Sequence, residues 1–231
     1  MELTEVNKKI KNICDFYVIT QKLKNTLRTG WVIWKISADR IESVAEHIYG
    51  TQMLAFVINS EFELGLDIAK LSLMLAIHEL GETVIGDIAL DDILAKKITR
   101  EEKQKIEMQA VLKILKPLNC KEILLETYNE FEQCETKEAK FARVIDRLEA
   151  CFQCKCYEEN GYSDYTTTMK GEHEKLRQER IAKGWTTLAK AWIENNKQVS
   201  DFDELYNSLS DYLLDNNIFK KPNKKGKTKN G

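Results

Sequence analysis

Residues 67–89, DIAKLSLMLAIHELGETVIGDIA, decide the fold. Asp67 caps a helix that runs through IAKLSLMLAIHEL and is apolar nearly all round. A helix with no polar face belongs in the middle of a bundle. Its far end carries His78 and Glu79, followed closely by Glu82 and Asp87, so a buried element delivers four titratable groups. Gly81 and Gly86 are the turn points of an irregular stretch over residues 81–98.

Outward from this stretch, helical periodicity dominates the chain. Residues 4–27 read as a first helix with Ile10, Ile13, Cys14, Tyr17 and Val18 on one stripe, followed by a break at Arg28-Thr29-Gly30-Trp31. Ser43 or Asp39 caps a helix to about residue 60 that carries Val44, Ile48, Met53, Phe56 and Val57. Thr99-x-x-Glu102 is a capping-box pattern opening a helix to Leu115, just before Pro117. Further helices are expected over 120–133, 136–159, 172–195 and 202–217, and no alternating strand run or internal repeat appears. The expected fold is all-α: one helical bundle over residues 1–165, extra C-terminal helices over 166–218 packing on it, and a basic, disordered tail over 219–231.

Composition agrees with this. Two prolines and ten glycines in 231 residues leave little to interrupt long helices, and 43% hydrophobic with 31% charged residues is a globular balance. Residues 220–231 hold six lysines and no acid, so the remainder is acidic and offers no default groove for nucleic acid. An anionic ligand would need local positive charge, from a metal or a few arginines. No apolar leader and no membrane-spanning run is present, and six cysteines without an export signal fit free thiols in a reducing cytoplasm. Cys151, Cys154 and Cys156 make a C-x2-C-x-C cluster, but inside a helix these positions do not share one face, so no structural zinc is expected there.

His47 and His78 each sit beside a carboxylate, in Glu46-His47 and His78-Glu79, on helices expected to be buried. Either histidine alone reads as a satisfied core residue. The acids change that reading: His78 and Glu82 are four apart and share a face, Glu79 and Glu82 are three apart and do likewise, and Asp146 lies in the apolar EAKFARVIDRLEACF. Buried carboxylates are costly unless paired or bound to metal. Asp146 has a bland alternative, pairing with Arg143 or Arg147. Taken together, two histidines and several isolated acids on apolar helices form a plausible seat for a divalent cation. A zinc-protease H-E-x-x-H is excluded because its fifth residue is Glu82, and neither a Gly-rich phosphate loop nor a G-x-S-x-G elbow occurs.

In the order H … H-E … D, the segments ESVAEH (42–47), HELGETVIGDIA (78–89), ITREEK (98–103) and ETKEAKFARVIDRLE (135–149), with RTGW (28–31), resemble the HD-domain phosphohydrolases, and within them the YfbR-like 5′-deoxynucleotidases. The resemblance covers roughly residues 20–160. It implies an HD-domain bundle binding one divalent metal ion (Mn, Co, Zn, Mg or Fe) through His47, His78, Glu79 and Asp146. It further implies Glu82 and Asp87 as the acid/base pair, and Arg28, Trp31, Asp87, Ile88 and Ala89 as substrate-binding residues. The implied reaction is metal-dependent hydrolysis of a (deoxy)nucleoside 5′-monophosphate, by a homodimer. Alternatives within reach are a nucleotide-binding or regulatory relative with weak or no hydrolysis, or an HD hydrolase of nucleoside triphosphates or phosphodiesters. Two departures stand out. Thr29 and Gly30 separate Arg28 from Trp31, and the dyad is His-Glu where the family has His-Asp. Glutamate adds one methylene, about 1.5 Å of reach, and one more torsion to freeze.

Overall fold

The computed structural model describes residues 3–94, 98–199 and 204–219, so the expected lysine-rich tail, apart from Phe219, lies outside the described residues. The elements are α1 (Leu3–Thr20), α2 (Thr29–Ile33), α3 (Val44–Glu61), α4 (Ile68–Ile77), α5 (Glu82–Ile85), α6 (Leu90–Leu94), α7 (Arg100–Leu115), α8 (Lys121–Gln133), α9 (Lys137–Glu159), α10 (Gly171–Ala182), α11 (Leu188–Val199) and α12 (Glu204–Asp215). A 3-10 turn over Gln21–Lys24 follows α1, and among the described residues the sole extended pairing is an isolated antiparallel bridge between Leu27 and Ser43. The fold is all-α, as the periodicity predicts.

α9 is the axis, packed against α3, α4, α8, α11 and α12. Its Ala142, Ile145 and Leu148 are fully buried against Leu71, Met74 and Leu75 of α4. Each large aliphatic side chain removed from water there contributes roughly 1.5–3 kcal/mol. This apolar seam fixes α4 beside α9, and so brings the C-terminal end of one toward the middle of the other. Both helices start at side-chain caps. Asp67 accepts from the Ala69 and Lys70 amides, and Thr136 from the Ala139 amide. Ser43 and Glu46 form a complete capping box at the head of α3, and Thr99 and Glu102 form another at α7.

Several local expectations are corrected. The first helix stops at Thr20 rather than continuing to residue 27, and residues 29–33 form a short helix where a break was expected. The stretch over 81–98 contains the short helices α5 and α6, and the segment expected over 172–195 is two helices, α10 and α11. The expected apolar stripe of α1 faces solvent: Ile10, Ile13, Tyr17 and Val18 are all exposed, and Phe16 and Ile19 make the packing contacts instead. In α3, Val44 is buried, but Met53, Phe56 and Val57 are exposed together with Tyr49. The inward face of α3 is built from Val44, His47, Thr51, Ala55 and Ile58, and the smaller Thr51 and Ala55 allow the close approach to α9 that puts His47 in reach of it.

Candidate active site

The end of α4, the N-terminal half of α3 and the middle of α9 converge on four side chains. His47, His78, Glu79 and Asp146 each offer one ligand atom, and these atoms all lie within 4.8 Å of one another. His47 Nε2 is 3.1 Å from Asp146 Oδ1 and 3.9 Å from Glu79 Oε1, and His78 Nε2 is 3.6 Å from Glu79 Oε1 and 3.9 Å from Asp146 Oδ1. Each imidazole is held from behind. His78 Nδ1 donates to the Leu75 carbonyl at 2.8 Å, which leaves Nε2 bearing the lone pair. His47 Nδ1 lies 2.5 Å from Glu149 Oε2. The pairing of Asp146 with Arg143 does not form, since Arg143 binds Glu132 at 2.7 Å and lies over the Phe131 ring.

The donor set fits a divalent cation. Two imidazole nitrogens and two carboxylates suit a borderline ion such as Mn²⁺, Co²⁺, Fe²⁺ or Zn²⁺, and His78 Nε2 is buried with no hydrogen-bond partner. Burial opposes charge on Glu79, but His78, Arg28 and Lys103 outweigh it and bring its carboxyl down to about 2. Burial likewise opposes charge on Asp146, yet its bond to His47 and the neighbouring His78 hold it well below the usual carboxylate range. Burial and Arg28 disfavour protonation of His47, whereas Glu149 and Asp146 raise it to about 10. Burial pushes His78 below its ordinary value. A proton and a metal ion therefore compete for His47 Nε2.

Glu79, one methylene longer than aspartate, keeps its carboxylate within the cluster, where Arg28 Nη1 donates to it at 3.2 Å. Arg28 also reaches toward Asp87 Oδ1 at 3.6 Å. Burial disfavours its charge, but Asp87 and Glu79 hold its pKa well above the ordinary value. Thr29, one of the two residues separating Arg28 from Trp31, pins the same aspartate: its amide donates to Asp87 Oδ2 at 2.5 Å and its hydroxyl to the Asp87 carbonyl at 2.6 Å. Glu82, at the start of α5, is 2% exposed, and neither carboxyl oxygen has a hydrogen-bond partner among the described residues. Burial, then the charges of Glu79 and Asp87, drive its pKa well above the usual range. Lys103 Nζ stands 3.9 Å from it and 3.1 Å from Glu107.

These groups open on a cavity of about 780 Å³. Every site residue expected from the sequence lines it except His47, which is fully buried beneath. Trp31 contributes wall rather than surface: it is 1% exposed, donates to Glu42 Oε2 at 2.6 Å and stacks on Trp192 at 4.5 Å. Gly30 permits that contact, since a Cβ there would sit 2.5 Å from the Trp192 ring. Ile88 and Ala89 precede α6, whose Asp91 is buried and bound by two nitrogens of Arg180, at 2.6 and 3.3 Å, and by Trp34 Nε1 at 2.7 Å. This clasp ties the wall carrying Ile88 and Ala89 to α10.

An all-α bundle that gathers two histidines and two carboxylates, from α3, α9 and the turn after α4, carries a candidate metal site. The chain belongs to the HD-domain family, whose model matches residues 20–189. It is 33% identical over 157 residues to 5′-deoxynucleotidase HDDC2 of Dictyostelium discoideum, covering 64% of this chain and 79% of that protein. It is 32% identical over 183 residues to 5′-deoxynucleotidase hdd1 of Schizosaccharomyces pombe, covering 75% and 86%. The fold also matches a predicted metal-dependent phosphohydrolase from Magnetospirillum magnetotacticum, with a TM-score of 0.58, 20% identity, and coverage of 90% and 96%. Trp192 and Asn195 of α11, which also line the cavity, lie beyond the residues that the family model matches.

Proposed function

We propose that the protein is a metal-dependent 5′-deoxynucleotidase that hydrolyses (deoxy)nucleoside 5′-monophosphates to nucleoside and phosphate. The observation that carries this reading is the juxtaposition, on one cavity, of the four-residue cluster with a half-buried Arg28 and a buried Glu82 that has no hydrogen-bond partner among the described residues. The relatives named 5′-deoxynucleotidase support the substrate class.

In this reading His47, His78, Glu79 and Asp146 hold one divalent ion. When bound, such an ion neutralises phosphate oxygen charge and makes water more acidic. Arg28 adds a second cation beside the cluster and donates to the phosphate, because its guanidinium already stands over Glu79 and Asp87. Glu82, whose buried carboxyl retains its proton to unusually high pH, exchanges a proton with the attacking water or the leaving sugar oxygen. Asp87 is the second member of the acid/base pair, fixed in place by Thr29. Trp31, Ile88 and Ala89 shape the nucleoside side of the cavity. Positioning and charge do most of the work in phosphoryl transfer, so these few groups suffice.

Chelation is expected to abolish phosphate release from a deoxynucleoside 5′-monophosphate, and Mn²⁺ or Co²⁺ to restore it. A panel of nucleoside 5′-monophosphates, triphosphates and a phosphodiester, assayed after metal removal, checks this. Undiminished release by metal-free protein would end the metal-dependent reading.

The enzyme is further proposed to act in the cytoplasm as a homodimer. Free cysteines at all six positions suit a reducing compartment, and no described helix is long and apolar enough to cross a membrane. The exposed Tyr49, Met53, Phe56 and Val57 of α3 and the exposed stripe of α1 supply apolar surface for a second copy. Phe56→Glu is expected to convert a dimer into a monomer in analytical ultracentrifugation. A wild-type protein that sediments as a monomer at micromolar concentration would contradict the dimer.

A further inference from the structure

Glu149 is one turn beyond Asp146 on α9, is 6% exposed, and ends 2.5 Å from His47 Nδ1. None of the groups assigned to substrate or metal includes it. The ring it touches is in an ambiguous position, because His47 faces a carboxylate at each nitrogen: Glu149 at Nδ1, and Asp146 at Nε2, 3.1 Å away. An imidazole that binds a metal ion must be neutral and so carries one proton. If that proton sits on Nε2 it is donated to Asp146 and occupies the direction from which a metal ion would approach. If it sits on Nδ1 it is donated to Glu149, and the Nε2 lone pair faces the cluster.

The surroundings of Glu149 look built for the second arrangement. Gly50 lies on α3 one turn after His47, and a Cβ at that position would fall 2.6 Å from Glu149 Oε1. A glycine inside a helix costs about 1 kcal/mol relative to alanine, and here the vacated space holds a carboxylate against a histidine. Glu42, which belongs to the same cluster of ligand atoms as His47 and Glu149, is itself held by Trp31 Nε1, and its amide donates to the Tyr157 hydroxyl at 2.9 Å. Glu42, beside Glu149 in that cluster, is thus fixed by indole and phenol groups of the core.

We propose that Glu149 is a positioning residue that holds His47 in the Nδ1–H form and aims Nε2 at the metal cluster, with Gly50 as the space that lets it do so. The inference rests on the reading of His47, His78, Glu79 and Asp146 as metal ligands. Groups behind a ligating histidine commonly set its tautomer, and their loss weakens metal binding about 10–100-fold.

The test is Co²⁺ titration of metal-free protein by calorimetry and visible absorption, with thermal melting of each metal-free variant alongside. Glu149→Gln keeps size and an oxygen acceptor but loses the charge, and should raise the Co²⁺ Kd about tenfold. Glu149→Ala should raise it toward a hundredfold and alter the Co²⁺ absorption bands. Gly50→Ala, which leaves the glutamate in the sequence but crowds it off the ring, should move affinity and spectrum in the same direction. Should Glu149→Ala fail to fold, Glu149→Gln and Gly50→Ala still decide the matter. Variants that melt earlier yet bind Co²⁺ with the wild-type Kd and spectrum overturn the proposal and leave Glu149 a purely structural partner. A wild-type protein that does not bind Co²⁺ overturns the metal-site reading itself, and this proposal with it.

Discussion

Replacing Glu82 by glutamine is expected to cut turnover about 10²–10⁴-fold, the usual scale of a lost acid/base group, while metal content stays near that of the wild type. The side chain is almost completely buried, and its two oxygens have no hydrogen-bond partner among the described residues. A carboxyl kept so poorly solvated is costly to the fold, and that cost makes sense where a proton must be held and released. Burial and the charges of Glu79 and Asp87 raise its pKa, and Lys103 at 3.9 Å moderates the rise. Glutamine fills the same volume without a transferable proton, so the variant should fold and bind metal normally. His78→Ala should behave differently: it removes one of the four ligand atoms and should lose the metal itself. Steady-state kinetics on a deoxynucleoside monophosphate, paired with elemental analysis, separates the two. Wild-type kcat in Glu82→Gln would show the acid/base group has been misplaced.

The second large effect concerns Glu79. Glu79→Ala is expected to weaken Mn²⁺ binding by more than the 10–100-fold that loss of a supporting group costs. It removes a carboxylate whose Oε1 lies within 4 Å of both imidazole Nε2 atoms, and it strips Arg28 of its nearest anionic partner. Glu79→Asp keeps the charge and freezes one torsion fewer, so it should bind Mn²⁺ at least as tightly as the wild type. Calorimetric titration of the three proteins is decisive: equal affinities for wild type and Glu79→Ala would mean that Glu79 serves Arg28 alone.

The all-α architecture was legible because the α4 sequence is apolar nearly all round, and such a helix has only one place to go. The candidate site was legible because two of the chain's three histidines, with acids close to them, sit in apolar stretches and fall in a family's order. What failed was the direction of the surface helices. Met53, Phe56 and Val57 of α3 are exposed, whereas its inward face holds Val44, His47, Thr51, Ala55 and Ile58, with the smaller Thr51 and Ala55 admitting the close approach of α9. The apolar stripe of α1 likewise faces solvent. Thr29, Lys103, Glu149 and Trp192 went unnoticed as parts of the site because their roles depend on contacts far apart in sequence. Thr29 meets Asp87 58 positions away, and Glu149 meets His47 102 positions away. Gly30 and Gly50 were the available signals. Each is a glycine inside a helix, and each is explained only by the partner that fills its missing side chain.

The clasp between Asp91, Arg180 and Trp34 has a kinetic consequence. Removing one partner of a buried, doubly bonded ion pair costs about 3–5 kcal/mol, so the wall carrying Ile88 and Ala89 depends on both members of the pair for its attachment to α10. A charge-neutralising change such as Asp91→Asn would turn this wall into a door. It would shorten the residence time of the product at the expense of a defined shape for the incoming sugar and base.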